Sequence, residues 1–127
     1  MSEHHGKIHW SELATRKVDA AVAYYTEVCG WSFEAMDMGE MGTYHVGSRD
    51  GVPTAGVFNM DDMPGMEELP AHWMTYLAVS DLDASLAATK AHGGQVIREA
   101  FDVPGVGRMA VVADPGGAVV SLMVPEN

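Results

Sequence analysis

The chain has 127 residues, of which 47% are hydrophobic and 20% charged, and its formal net charge is −11. This length and composition are typical of one folded domain and argue against a disordered chain. Because only 7 residues are basic, the sequence also argues against nucleic-acid binding, which needs clustered Lys and Arg.

The first residues of the chain, Met1–Lys7, are polar and carry no apolar leader. No run in the sequence approaches the roughly 18 apolar residues of a membrane span. We therefore expect a frayed N-terminus that includes His4 and His5, and no contact with a membrane. The single cysteine, Cys29, cannot form an internal disulfide, which favours the cytoplasm. Its place at the end of a helical pattern predicts a buried, structural thiol.

Two segments share one plan, in which a short strand precedes a helix that ends at glycine. In Trp10–Trp31 the helical period predicts one apolar face and Gly30 ends the helix; the face comprises Val18, Ala21, Val22, Tyr25 and Val28. In Met74–Gly94 a Ser80-Asp81 cap region precedes the face, which comprises Leu82, Leu86 and Thr89. Corresponding residues lie 64 positions apart, as Val18 and Leu82 do.

Three strand-like runs follow each predicted helix. Turn signals at Arg49–Gly51 and Asp114–Gly117 separate the later runs. Each half is therefore predicted to be β-α-β-β-β. We interpret residues 1–127 as a single domain of two modules, 8–60 and 72–125, joined by a polar, proline-bounded linker at 61–71. The runs are Ser32–Met38, Thr43–Ser48 and Thr54–Asn59, then Gln95–Ala100, Arg108–Ala113 and Ala118–Val124.

Three stretches carry a family likeness: "WSELATRKVDAAVAYYTEVCGW" in the first half, and "YLAVSDLDA" and "GVGRMAVVADPGGAVVSLM" in the second. With the duplicated module, they make the chain resemble the vicinal oxygen chelate superfamily of glyoxalases, bleomycin-resistance proteins and dioxygenases. The resemblance implies an α+β fold, in which tandem β-α-β-β-β modules form a curved, cup-shaped mixed sheet with the helices outside. It also implies a homodimer.

The resemblance further implies four metal ligands, from the first and last strands of each module. These positions fall on Trp10, Met74, Ser121 and Gly56, or on Ala55 in place of Gly56 if the register shifts by one. None of these residues is a ligand for a divalent ion, which prefers imidazole, carboxylate or thiolate. We therefore expect neither a metal nor a cofactor.

Alternation along the strands predicts which side chains would line the cup. An apolar, aromatic wall with few polar groups is typical of a small-molecule pocket, although the same pattern also fits a filled core. Arg108 should face away from this wall. The predicted ligand-binding residues are Trp10, Glu12, Tyr44, Met74, Tyr76, Met109 and Ser121.

Glu12 is the candidate catalytic residue, because a carboxylate on an apolar face is costly unless it is paired or protonated. Desolvation there should raise the pKa of Glu12 above its ordinary value, so that its contribution to stability falls as pH rises. The structural alternatives are an ion pair with Arg108 or Lys7, or a strand register that leaves the carboxylate in water.

These expectations favour a protein that binds a small organic metabolite or xenobiotic in the cup without a metal. The first alternative is an enzyme of the lyase, isomerase or dioxygenase type, metal-independent or metal-dependent. In it Glu12 would act as acid or base, and Tyr44 or Tyr76 would donate a hydrogen bond. The second alternative is a non-catalytic interaction subunit.

Overall fold

A computed structural model describes residues 3–63, 65–103 and 105–126. These residues form two α-helices and eight strands, arranged twice as β-α-β-β-β. The predicted α+β class, with tandem modules of this order, is confirmed. The elements are β1 (Ile8–Thr15), α1 (Val18–Cys29), β2 (Ser32–Asp37), β3 (Thr43–Arg49), β4 (Val52–Asn59), β5 (His72–Ala78), α2 (Leu82–Ala91), β6 (Gln95–Val103), β7 (Gly107–Ala113) and β8 (Val119–Pro125).

The chain divides into two compact units. The N-terminal unit is Trp10–Trp73, and the C-terminal unit is Met74–Asn127 together with Met1–His9. In the N-terminal unit the strands lie in the order β2-β3-β4-β1, and only β1 and β4 are parallel. In the C-terminal unit the order is β5-β8-β7-β6, and only β5 and β8 are parallel. Each half of the sequence therefore forms a mixed sheet in which the first and last strands of the module are parallel neighbours.

Helix α2 anchors the core of the C-terminal unit. Leu82 and Leu86 are buried on α2, as the helical period predicts. They pack in one cluster with three buried side chains of β7 and β8, namely Ala110, Val112 and Leu122. The Asp81 side chain accepts a hydrogen bond from the backbone N–H of Ala84, which confirms the predicted cap region.

Helix α1 is packed differently. The core of the N-terminal unit lies in the strands and in Met60, and no residue of α1 is fully buried. Val28, which the helical period assigns to the apolar face, is 59% exposed. Cys29, the last residue of the same helix, is also exposed rather than buried. Among the described residues, no helix has the length and apolarity needed to cross a membrane.

From His5 to Lys7, the N-terminal segment is not frayed. The Gly6 N–H donates to the Ala78 carbonyl at 2.7 Å, and the Ala78 N–H donates to the Lys7 carbonyl at 2.9 Å. The ring nitrogen Nδ1 of His5 accepts a hydrogen bond from the backbone N–H of Ser80 at 2.9 Å. The expectation from the sequence was wrong because the partners lie more than 70 positions away, beyond any local pattern.

Candidate functional site

One face of the N-terminal unit brings together the residues that the sequence singled out there. Glu12 on β1 lies opposite Gly56 on β4, and Gly56 lies opposite Val46 on β3. Because paired residues point to the same face and alternate residues share it, Trp10, Glu12 and Tyr44 all project from this face. The first, third and fourth strands of the module therefore build the site.

A chain of two hydrogen bonds joins these side chains. The Trp10 indole Nε1 donates to the Tyr44 hydroxyl at 2.7 Å. The Tyr44 hydroxyl donates to Glu12 Oε2 at 2.8 Å. All three side chains are half-buried, so they are shielded in part from water but not sealed off.

The chemistry of the three side chains sets the direction of the two hydrogen bonds. An indole N–H can only donate, so the Tyr44 oxygen must accept from Trp10. Having accepted from Trp10, the Tyr44 hydroxyl directs its own proton to Glu12 Oε2. Trp10 and Tyr44 therefore hold Glu12 as an oriented acceptor beside two aromatic rings.

Gly56 provides the space for this arrangement. A Cβ atom added at Gly56 would overlap the Tyr44 hydroxyl and ring. Glycine inside a strand usually marks a close approach of another group, and here that group is the phenol. The residue with no side chain thus determines where Tyr44 lies.

The C-terminal unit carries the other predicted residues on the sheet face turned away from α2. Ser121 on β8 lies opposite Tyr76 on β5 and opposite Val111 on β7. Met109 and Ser121 are buried, with exposures of 8% and 2%, while Met74 and Tyr76 are half-buried. All four remain predicted ligand-binding residues.

Arg108 has the orientation expected from alternation. It lies opposite Val124, which packs against the cluster around α2. Its side chain is therefore on the other face of the sheet from Ser121.

The residues at the four family metal positions do not fit a divalent ion. The register identifies Gly56, not Ala55, as the counterpart of Ser121, because Glu12 and Tyr76 lie 64 positions apart and pair with these two. Gly56 has no side chain, and the only polar atom of Trp10 is a donor committed to Tyr44. Met74 offers a thioether and Ser121 a hydroxyl, which divalent metals bind poorly without imidazole, carboxylate or thiolate. Among the described residues, no three His, Cys, Asp or Glu side chains are grouped to hold a metal ion.

The sequence predicted these residues as separate wall positions and missed the contacts between them. The Trp10–Tyr44 hydrogen bond spans 34 positions and the Tyr44–Glu12 bond spans 32. One signal was available, because a glycine within an otherwise apolar strand points to close packing at Gly56.

Comparison with known proteins supports the resemblance. Residues 7–122 match the family model described as the Glyoxalase/Bleomycin resistance protein/Dioxygenase superfamily. CFP32 of Mycobacterium bovis, whose name assigns it provisionally to the glyoxylases, is 40% identical over 120 residues, covering 94% of this chain and 44% of that protein. The anthracycline biosynthesis protein DnrV of Streptomyces peucetius is 34% identical over 123 residues, covering 89% of this chain and 45% of DnrV. The chain thus spans less than half the length of these two relatives.

A solved structure supports the fold. The methylmalonyl-CoA epimerase of Mycobacterium tuberculosis has a TM-score of 0.66 to this chain at 17% identity, covering 100% of this chain and 93% of the epimerase. At this identity the likeness concerns the fold alone. With the family model matching nearly the whole chain and the duplicated module observed, the protein belongs to the glyoxalase/bleomycin resistance protein/dioxygenase superfamily.

Proposed function

We propose that the protein binds a small organic molecule against the Trp10–Tyr44–Glu12 face of its N-terminal unit, without a metal of the family type. The observation that carries this proposal is the oriented hydrogen-bond chain from the indole through the phenol to the carboxylate. Two aromatic rings beside one fixed acceptor are suited to a flat organic ligand that donates a hydrogen bond or carries a positive charge.

The relatives support the class of ligand. DnrV is named for the biosynthesis of anthracyclines, and the name of CFP32 points to glyoxylase chemistry. Both names concern small organic compounds. Because this chain matches less than half of either relative, the proposal extends to that class of compound and not to a particular reaction.

Binding can be tested by calorimetry and tryptophan emission. The probes are daunorubicin, which is planar and cationic, and the hemithioacetal of methylglyoxal with a small thiol. We expect at least one of them to bind and to change the emission of the parent. Tyr44→Phe should weaken binding about fivefold, the effect of losing roughly 1 kcal/mol of hydrogen bonding.

The control variant for this experiment is Trp73→Phe, because Trp73 lies in a separate aromatic group with Tyr25 and Trp31. The emission change should persist in Trp73→Phe and largely disappear in Trp10→Phe. If neither probe binds, or if Trp10→Phe responds as strongly as the parent to a probe that binds calorimetrically, the proposed site is wrong.

The hydrogen bond from Tyr44 also favours a second candidate, an enzyme in which Glu12 acts as acid or base. Glu12→Gln keeps an acceptor for Tyr44 but cannot take up a proton. For an enzyme, this substitution should reduce turnover about 100-fold or more while the fold is retained. A Glu12→Gln variant that is clearly destabilised and still binds ligand normally would show that Glu12 is a structural residue. The desolvation expected at Glu12 from the sequence stays a prediction.

We further propose that two copies associate and that the protein works in the cytoplasm. Membership of the family supports the first part, and a single cysteine, which cannot form an internal disulfide, supports the second. Light scattering coupled to gel filtration should give twice the chain mass. A monomer at micromolar concentration would contradict the dimer, and cell fractionation tests the compartment.

A further inference from the structure

A cation lies on the C-terminal unit, on a face that is otherwise apolar. The Arg98 guanidinium lies over the ring of Phe101, with Cζ 3.7 Å from the ring centroid. Along the sheet, Arg98 lies opposite Val111, and Phe101 lies opposite Met109. Residues 110 and 112 point to α2, so Val111 and Met109 point to the other face. Arg98 and Phe101 therefore belong to the face turned away from α2.

The guanidinium is held in place but has no polar partner. Among the described residues, Arg98 makes neither a hydrogen bond nor an ion pair, although Glu99 and Asp102 lie on the same strand. Stacking on a ring uses the flat side of a guanidinium and leaves the N–H groups at its edge able to bind an anion. In contrast, Arg16 uses its edge fully on protein oxygens.

The side chains on this face become more buried from Arg98 on β6 towards β7 and β8. Arg98 is exposed, Phe101 and Val111 are half-buried, and Met109 and Met123 are buried. An anion bound at the guanidinium would thus have an apolar surface of ring, valine and methionine beside it. Such a surface fits a hydrocarbon body attached to a carboxylate, sulfonate or phosphate.

We infer that the sheet face of the C-terminal unit turned away from α2 binds apolar organic anions, with Arg98 as the anion-binding residue. This inference uses different residues from the Trp10–Tyr44–Glu12 site and does not depend on it. It predicts that this face prefers anionic ligands although the protein has a net charge of −11. The arginine fork and the apolar surface must therefore outweigh the general repulsion between the protein and anions.

Two fluorescent probes that share a skeleton can test it. The anionic probe is 8-anilinonaphthalene-1-sulfonate, and the neutral probe is N-phenyl-1-naphthylamine, which lacks the sulfonate. Each is titrated against the parent, Arg98→Gln, Arg98→Lys and Arg108→Gln. Arg108 is the matched control because it is also exposed but lies on the opposite face of the same unit, and its substitution changes the net charge equally.

We expect the parent to bind the anionic probe more tightly than the neutral one. Arg98→Gln should weaken the anionic probe about fivefold or more and leave the neutral probe unchanged, since only the charge-assisted contact is lost. Arg98→Lys should be intermediate because a lysine keeps the charge without the planar fork. Arg108→Gln should resemble the parent.

The inference is overturned if Arg108→Gln weakens the anionic probe as much as Arg98→Gln does, which would indicate long-range charge alone. It is also overturned if both probes lose affinity together in Arg98→Gln, or if the parent does not prefer the anion. The readout is the emission of the probe, and every variant keeps Trp10, Tyr44 and Glu12. A negative result for the proposed function would therefore not change the result of this experiment.

Discussion

At the scale of single residues, the candidate site depends on a glycine as much as on the polar groups. Tyr44 both accepts from Trp10 and donates to Glu12, and it can do so only because Gly56 leaves room beneath its ring. Glycine within a strand lowers stability through the entropy of the unfolded chain. At Gly56 this loss is offset by the packing and hydrogen bonds of the tyrosine.

The role of Gly56 leads to the first prediction. Gly56→Ala should lower the free energy of unfolding by about 1–3 kcal/mol, because the added methyl group forces Tyr44 out of position. The control is Gly116→Ala, where an added Cβ would lie 3.6 Å from its nearest neighbour, Asp114 Oδ1, so its stability should be unchanged or slightly higher. Urea denaturation measures both, and equal stabilities for the two variants would disprove the role assigned to Gly56.

At the scale of elements, the two helices hold to their sheets by different means. Helix α2 inserts Leu82 and Leu86 into a core cluster. Helix α1 has no buried residue and contributes Tyr25 to an aromatic group on the surface. In that group Tyr25 stacks on Trp31 with ring centroids 5.4 Å apart, and it accepts a hydrogen bond from the Trp73 indole at 3.2 Å.

A pair of helix variants should show this difference. Leu86→Ala should destabilise the protein by about 2–5 kcal/mol, because it leaves a cavity in the core. Val28→Ala should change the free energy of unfolding by less than about 0.5 kcal/mol, since Val28 is 59% exposed. Thermal and urea unfolding are the measurements. A large effect of Val28→Ala would contradict this prediction and would mean that the exposed face of α1 is covered in solution.

The linker between the modules is held by one arginine at the end of β1. Arg16 Nε forms an ion pair with Asp61 at 2.9 Å. Its terminal nitrogens donate to the carbonyls of Leu69 at 2.8 Å, Met66 at 2.8 Å and Glu67 at 3.1 Å. The guanidinium has five N–H groups in a fixed plane, whereas the lysine ammonium has three, so Arg16 can bond all four of these acceptors at once. Arg16 thereby orders a segment with little core of its own.

The third prediction follows from this contact. Arg16→Lys should make the linker about fivefold or more susceptible to a protease that cleaves after Glu67 and Glu68, because local opening becomes easier. Arg49→Lys is the control, since the polar partners of the Arg49 side chain in the described part of the chain are Gly30 and Asp50, which lie outside the linker. Mass spectrometry of the early fragments identifies the sites. Cleavage of both variants at the parental rate would show that the linker is ordered without Arg16.

At the scale of the whole molecule, family membership leaves the chemistry undetermined. The duplicated module extends through nearly the whole chain, yet the four family metal positions carry Trp10, Gly56, Met74 and Ser121. A shared fold does not imply a shared function, which resides in particular side chains. In this protein those four positions offer no imidazole, carboxylate or thiolate to a divalent ion.

Elemental analysis provides the fourth prediction. Protein purified without a tag and washed with chelator should contain no stoichiometric divalent metal, because the donor set lacks imidazole, carboxylate and thiolate. Loosely bound metal at His4 and His5 should be removed by the wash. An ion near one per chain that survives the chelator would refute the prediction and restore the metal-dependent alternative.

The sequence by itself determined the order of elements and the face to which most strand residues point. Hydrophobic periods of 3.6 and 2 residues, with glycine and aspartate at helix ends, are local properties of the chain. They were sufficient to predict two β-α-β-β-β modules, the Asp81 cap and the placement of Arg108 on the sheet face opposite Ser121. The family motifs, which extend over most of the chain, indicated the superfamily and with it the fold.

Only the tertiary structure decided which side chains meet. The deciding contacts join residues 32 to 75 positions apart: the hydrogen bonds of Tyr44, those of Arg16 to the linker, and that of Ser80 to His5. Their geometry depends on strand register, which a local pattern does not encode for a particular pair. The tertiary structure also decided that Cys29 and Val28 are exposed. A helical period identifies an apolar face but does not show which residues, if any, cover it.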